Sequence, residues 1–353
     1  MNRVAVLSLE PWDQTWRRNQ HLASRLVSEG HAREITWISP AVRGTARRVL
    51  RPLEGIKVIV PPLVVPRRLG GVSVLARSLG PVVRGCDVLW VNDPRLGAAC
   101  LRHGVPAVYD VTDDWRCYPT PPRIVRRIIA AEDRLARRAS TVVCSASLAD
   151  RWQERYGVIP AVVHNGVDLQ AHRSATPALP LPGPRPHVGY VGTLQPERLD
   201  LDLVLQAAQL PEVGTVHLIG PDALGERGRA VLGSASNIQI HPPVPSQDVP
   251  GLMADLDVLV SPHLVNAFTL SLDAIKGYEY AASGRPVVAT PTSGFQLLTA
   301  VGVRVGAGGE FLRLLEEALL HPGRYPVAVV PGSSWEERAT QFASVLRTTS
   351  SKG

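Results

Sequence analysis

Lys276 and Glu279 stand three residues apart in the stretch 271–290, Ser-Leu-Asp-Ala-Ile-Lys-Gly-Tyr-Glu-Tyr-Ala-Ala-Ser-Gly-Arg-Pro-Val-Val-Ala-Thr. Side chains at that spacing share one face of a helix, so an ammonium and a carboxylate can look into the same site. The ammonium suits phosphate oxygens and the carboxylate suits a vicinal diol; together they fit a nucleoside diphosphate. The plainer alternative is a surface Lys–Glu pair on an amphipathic helix. A second set of candidates lies in the first half. Asp110, Asp113 and Asp114 follow an apolar run, and Asp13 sits in the first polar loop. Carboxylates there can act as a base or orient a hydroxyl, and capping or turn chemistry is their structural alternative.

These residues need elements to hold them. Short apolar runs at 4–9, 35–39, 56–60, 88–92, 107–110, 141–145 and 161–164 read as strands. Helical periodicity fills 16–29, 95–103, 122–139 and 148–156 between them. After residue 187 the alternation resumes, with strands at 188–191, 216–219, 238–240, 258–261, 287–289 and 303–305. Helices are predicted near 199–208, 246–254, 271–283, 309–320 and 334–347. Such alternation argues for βαβ units and parallel sheets. The expected fold class is therefore α/β: two Rossmann-like domains facing each other across a cleft. We expect the first at 1–173, a Pro-rich linker at 174–186, the second at 187–332, and a last helix within 333–353 returning to the first. Five prolines in the 13 residues of 174–186 cannot sustain a helix or a central strand.

The chain has 353 residues, 45% hydrophobic and 20% charged, with net charge +7. No apolar run reaches the roughly 18–20 residues of a membrane span, and the opening run is too short for a secretory core, so a cytoplasmic protein is expected. Cys86, Cys100, Cys117 and Cys144 form neither a CxxC nor a Cys/His cluster. The basic excess permits an anionic membrane surface or a phosphorylated ligand. No stripe of interleaved aromatics supports nucleic acid. The helix at 122–139 is amphipathic with Arg123, Arg127, Arg134 and Arg138 on one side, which suits either plain solvent or peripheral contact with a membrane. Asp200 and Asp202 have the spacing of a metal-binding pair, yet they open a helix, where capping explains them; no metal site is assigned.

Several loops carry text that resembles one family. Gly189-Tyr-Val-Gly-Thr-Leu, His164-Asn-Gly-Val-Asp, Leu218-Ile-Gly-Pro, Asp257-Val-Leu-Val-Ser-Pro-His and Lys276-Gly-Tyr-Glu-Tyr-Ala-Ala-Ser-Gly-Arg-Pro occur in order. With Trp16-Arg-Arg-Asn-Gln-His-Leu-Ala and Tyr109-Asp-Val-Thr-Asp-Asp-Trp, they resemble GT-B glycosyltransferases of the family-four type. The flavour is that of bacterial enzymes building cell-surface polysaccharides such as teichuronic acid. The resemblance implies a nucleotide sugar (UDP, GDP or dTDP) as co-substrate, no further cofactor, and metal-independent chemistry with retention of configuration. The acceptor would be a small molecule, a glycan or a lipid-linked hydroxyl. It also implies Glu279 on the ribose, Lys276 and Arg198 on the diphosphate, and close backbone approach at Gly192 and Thr193. Asp113, Asp114 and Asp13 fall to the acceptor side. Many members carry a glutamate eight residues before the ribose-binding one; here that position is Ser271. A sugar-nucleotide epimerase and a non-catalytic nucleotide-sugar-binding protein are the alternative functions.

Overall fold

The computed structural model describes residues 1–66, 69–177, 180–321, 323, 325 and 329–351. The chain forms two units, 1–164 with 335–353, and 165–334.

In the first unit, β1 (Arg3–Leu7), β2 (Glu34–Ile38), β3 (Val42–Arg43), β4 (Arg48–Leu53), β5 (Ile56–Val60), β6 (Pro62–Leu63), β7 (Val88–Val91), β8 (Ala107–Val111), β9 (Ser140–Val143) and β10 (Ala161–Val162) are connected mainly by helices. Eight of them form a sheet in the order β10-β9-β8-β7-β1-β2-β5-β4, while β3 and β6 pair separately. Every pairing in the large sheet is parallel except β4 with β5. The central strands are buried on both faces, which is why they read as continuous apolar runs rather than alternating ones. The C-terminal helix Trp335–Ser350 packs on this unit. Trp335 stacks on His21 at 4.6 Å, Phe342 lies 4.6 Å from Trp90, and Glu336 pairs with Arg25 at 2.8 Å.

The second unit is a wholly parallel sheet of β11 (His187–Val191), β12 (Thr215–Ile219), β13 (Ile238–His241), β14 (Val258–Ser261), β15 (Val287–Ala289) and β16 (Arg304–Val305). Their order is β13-β12-β11-β14-β15-β16. Alternate residues feed two cores. Val188, Tyr190, Leu218 and Val260 pack with Phe311 and Leu315 on one face. Val191, Ile219, Leu259 and Ala289 pack with Met253, Tyr278 and Tyr280 on the other.

Two boundaries differ from the expectation. The units divide after His164, not at the Pro-rich segment. Residues 165–173 belong with the second unit because Asn165 is tied to Asp273 through a 2.6 Å bond from its backbone N–H to Oδ2. The 174–186 segment, of which 178 and 179 lie outside the described residues, is likewise anchored in that unit. Leu181 N donates to Asp255 and Arg185 pairs with both Asp255 and Asp257. The antiparallel strand β4 was also not foreseen, because its Arg-Val-Leu-Arg-Pro-Leu has neither a strand's alternation nor a buried face.

Candidate functional site

In the second unit the strand order reverses between β11 and β14. Ligands of open α/β sheets bind where the order reverses, beyond the carboxyl ends of the strands. The loops there begin at Gly192 and at Pro262.

Gly192 has φ +154°, outside the range of ordinary side chains. A Cβ on it would stand 2.6 Å from Lys276 Nζ, so the missing side chain is what admits the ammonium. Lys276 opens the helix Ile275–Ser283, which is fastened to the end of β11 by Tyr280. The Tyr280 hydroxyl accepts from Val191 N at 2.8 Å and donates to Val191 O at 3.2 Å. Tyr278 donates to buried Asp273 at 2.9 Å, and Gly277 packs against Leu298 and Phe295. These contacts turn one side of the helix inward and leave Lys276 and Glu279 half-buried.

The two do not form the ion pair that a surface helix would show. Lys276 Nζ donates to the Tyr190 hydroxyl at 2.5 Å, sits 4.0 Å from the centre of that ring, and lies 3.4 Å from His263 Nε2. Tyr190 in turn donates to Thr193 O at 3.1 Å, tying the half-buried Thr193 to the same cluster. No carboxylate reaches Lys276 within ion-pair distance among the described residues. Burial, and then the charge of Arg198, pushes the Lys276 ammonium down to about 7, with Glu279 opposing. Burial holds His263 well below its usual value, reinforced by Lys276 and Arg198, so it is neutral at pH 7. The Glu279 carboxyl has no hydrogen-bond partner among the described residues, and burial raises it to about 7 against the pull of Lys276.

Arg198 lies on the loop after β11, its guanidinium 5.0 Å over the Phe268 ring. The loop is latched to the one after β14 by Leu264 N to Arg198 O at 2.8 Å and Asp200 N to Pro262 O at 2.8 Å. Asp200 caps the helix Leu201–Ala208, accepting from Leu203 N at 3.0 Å. The result is a pair of cationic side chains beside a carboxyl one helical turn away. Such an arrangement takes an anion at one end and hydroxyl donors at the other.

Ser271 lies apart from this helix, in a one-turn 3-10 segment, Thr269–Ser271. It is fully buried and its hydroxyl donates to Phe268 O at 2.6 Å. Tyr190, His263 and Tyr280 belong to the motifs of the resemblance, and the structure adds their contacts with Lys276 and Val191. Their signal was position alone, at the ends of β11 and β14 and one helical turn beyond Lys276.

The carboxylates of the first unit are differently placed. Asp110 is not in a loop: it lies within β8, buried, and receives the Arg18 guanidinium at 3.1–3.3 Å and the Trp90 indole N–H at 3.3 Å. Asp114 is also buried and pairs with Arg151 at 2.6 Å and Arg155 at 3.8 Å. Burial alone would raise its pKa, but hydrogen bonds from Arg151 and Arg116 N and the nearby guanidiniums hold it below the usual range. Asp113 is half-buried and accepts from Thr112 Oγ1 at 3.1 Å. Asp13 accepts from Thr15 N at 2.9 Å and pairs with Arg17 at 3.2 Å. Behind these loops Glu132, which sequence reasoning did not single out, is buried and pushed up to about 7 by desolvation, although it accepts from the Tyr109 hydroxyl at 2.9 Å.

Residues 16–171 match the family described as Glycosyltransferase Family 4, and residues 185–312 match Glycosyl transferases group 1. The TuaH glycosyltransferase assigned to teichuronic acid biosynthesis in Bacillus subtilis (strain 168) is 24% identical over 318 residues, 81% of this chain and 80% of that protein. Among solved structures, sucrose-phosphate synthase from Thermosynechococcus elongatus superposes with a TM-score of 0.74 at 14% identity, covering 100% of both chains. Anabaena HepE in complex with UDP-glucose superposes with a TM-score of 0.63 at 17% identity, covering 100% of this chain and 98% of that one.

Proposed function

Because this chain belongs to glycosyltransferase family 4 and has the GT-B fold, we propose that it transfers a hexosyl group from a UDP-sugar to an acceptor hydroxyl, with retention and without a metal ion. The observation that carries the reading is Lys276: an ammonium held half-buried on a phenol and a neutral histidine, with no carboxylate against it. A diphosphate supplies the missing negative charge. Lys276 and Arg198 then stabilise charge as it grows on the departing phosphate, and the backbone at Gly192 and Thr193 approaches its oxygens. Glu279 accepts from the ribose hydroxyls. Uridine is favoured as the base because the similarly folded HepE binds UDP-glucose.

On the acceptor side, Asp113 and Asp13 orient the incoming hydroxyl, and Asp114, already bound to Arg151, holds that loop in shape. In a retaining reaction the donor phosphate takes the acceptor proton, so no carboxylate needs to be a free base. Ser271 shapes the sugar end from within. The acceptor is a glycan or lipid-linked hydroxyl, in keeping with the similarity to TuaH, and the enzyme works in the cytoplasm with peripheral contact to a membrane. A thermal-shift screen of UDP, GDP, dTDP and their sugars tests the donor half. UDP compounds are expected to raise Tm progressively with concentration, and no shift with any nucleotide sinks the reading.

A further inference from the structure

One exposed apolar surface of the first unit is also strongly basic. Residues 42–54 are all solvent-exposed. They include Val42, Val49, Leu50 and Leu53, with Leu50 53% exposed, interleaved with Arg43, Arg47, Arg48 and Arg51. Val64, 66% exposed, follows shortly after in the chain. Glu54 is the single acidic residue from 42 to 66. Val49, Leu50 and Leu53 sit on β4, the terminal strand of the sheet, paired only with β5. Because successive residues point to opposite faces, Arg48 with Leu50 and Val49 with Arg51 give each face both an arginine and an aliphatic group.

Charge and Pro52 guard an edge strand against aggregation, but guarding does not call for exposed Val49, Leu50 and Leu53. A second copy of the chain is a poor occupant. Antiparallel pairing of two β4 edges would bring Arg48 and Arg51 of both copies together, and like charges across strands are destabilising. We propose that this edge docks on an anionic phospholipid surface, the arginines meeting phosphates while Val49, Leu50 and Leu53 enter the interface. None of the helices is long and apolar enough to cross a membrane among the described residues, so the docking is peripheral.

The basic helix Pro122–Ala136 is a different surface. Its Arg123, Arg126, Arg127 and Arg134 are exposed, but its large apolar residues are buried or half-buried. It follows β8, about five strand spacings from β4, or roughly 24 Å at about 4.8 Å per strand. It presents charge without insertable side chains. The docking edge deepens the proposed function only by giving a lipid-linked acceptor a surface, and its test runs without donor, so either reading can fail alone.

The test is cosedimentation of the full chain with vesicles of phosphatidylcholine alone, or of equal parts phosphatidylcholine and phosphatidylglycerol. Binding is expected to the anionic vesicles only and to weaken with added salt. Arg48→Gln with Arg51→Gln is expected to reduce binding about thirty-fold, from ~1 kcal/mol per basic residue. Val49→Ser with Leu50→Ser should also reduce it, while Arg123→Gln with Arg127→Gln leaves it nearly unchanged. Melting curves matching the unaltered protein confirm that each variant is folded. The proposal is overturned by absence of binding to anionic vesicles, or by loss only with the helix variants. It is equally overturned by a dimer that Leu50→Ser dissociates in sedimentation analysis while vesicles bind no protein.

Discussion

Two sets of charges, one in each unit, are held in opposite ways. In the first, Asp110 and Asp114 have guanidinium partners within the unit: Arg18 for Asp110, Arg151 and Arg155 for Asp114. In the second, Lys276 and Glu279 lie one turn apart without pairing, and each is shifted toward neutrality by burial. A satisfied pair holds a fold together. A half-buried charge without its counter-ion costs stability and persists where a ligand completes it. The largest effect should follow from breaking a satisfied pair. Asp110→Asn leaves Arg18 buried without its carboxylate, and removing one partner of such a pair costs about 3–5 kcal/mol. Urea unfolding should show that loss while donor affinity in the folded protein stays unchanged. Weaker donor binding with intact stability would move Asp110 from scaffold to site and break the contrast.

Lys276→Ala should do the reverse. Removing a group that stabilises developing charge costs about 10²–10³-fold in turnover, whereas relieving a buried ammonium should leave stability equal or higher. Glu279→Ala should act mainly on donor affinity, by about 1.5–3 kcal/mol for hydrogen bonds to a charged group. Calorimetric titration with UDP, paired with initial rates, separates the two. Equal loss of affinity in both variants with unchanged turnover at saturation would mean that Lys276 binds the donor without stabilising the departing phosphate.

Much of this contrast was legible in the sequence, and what was hidden had physical causes. The parallel strands announced themselves because burial on both faces demands unbroken apolar runs such as Val88–Val91. Lys276 and Glu279 could be placed on one helix face because helix spacing is local, whereas Gly192 entered only through the family resemblance. The partners of the aspartates were not. Asp110 meets Arg18 across 92 residues and Asp114 meets Arg151 across 37, and no periodicity encodes such meetings. For the same reason the division after His164 was missed. Proline content marks where a helix cannot form, but the attachment of 165–173 to the second unit depends on Asn165 reaching Asp273, 108 residues on.

The unpaired charges also give the second unit a pH signature. Lys276, lowered to about 7, holds fewer protons folded than unfolded between that value and the ordinary lysine value, so its contribution to stability rises with pH there. Glu279, raised to about 7, holds more protons folded than unfolded between 4.5 and that value, so its contribution falls as pH rises through that window. This pair therefore contributes least to the stability of the empty protein near neutrality. Donor binding should run the other way. A diphosphate favours the ammonium and ribose favours the carboxylate, so affinity is greatest near pH 7 and declines on both sides, by at most about tenfold per pH unit for one linked proton. Titrations in buffers of different ionisation enthalpy should show proton uptake above pH 7 and release below it. Proton-neutral binding on the alkaline side would mean that Lys276 does not meet the phosphates.

The smallest expected effect carries the sharpest discrimination. Asp13 pairs with Arg17 where both side chains are about one-third exposed, at 38% and 33%, and pairs of this kind contribute about 0–1 kcal/mol. Its hydrogen bond from Thr15 N shapes only the local turn. Asp13→Asn preserves that acceptor oxygen and should shift the unfolding midpoint by less than about 1 kcal/mol, with donor affinity unaltered because Asp13 belongs to the other unit. If the acceptor proton passes to the donor phosphate, turnover should fall only by the few-fold that a misoriented hydroxyl costs. A fall of about 10²–10⁴-fold, the range of a general base, would instead make Asp13 the proton acceptor. The reaction would then proceed with inversion, and the first unit would hold reactive as well as structural carboxylates. Rates with acceptor present, measured beside the anomeric configuration of the product, distinguish these outcomes.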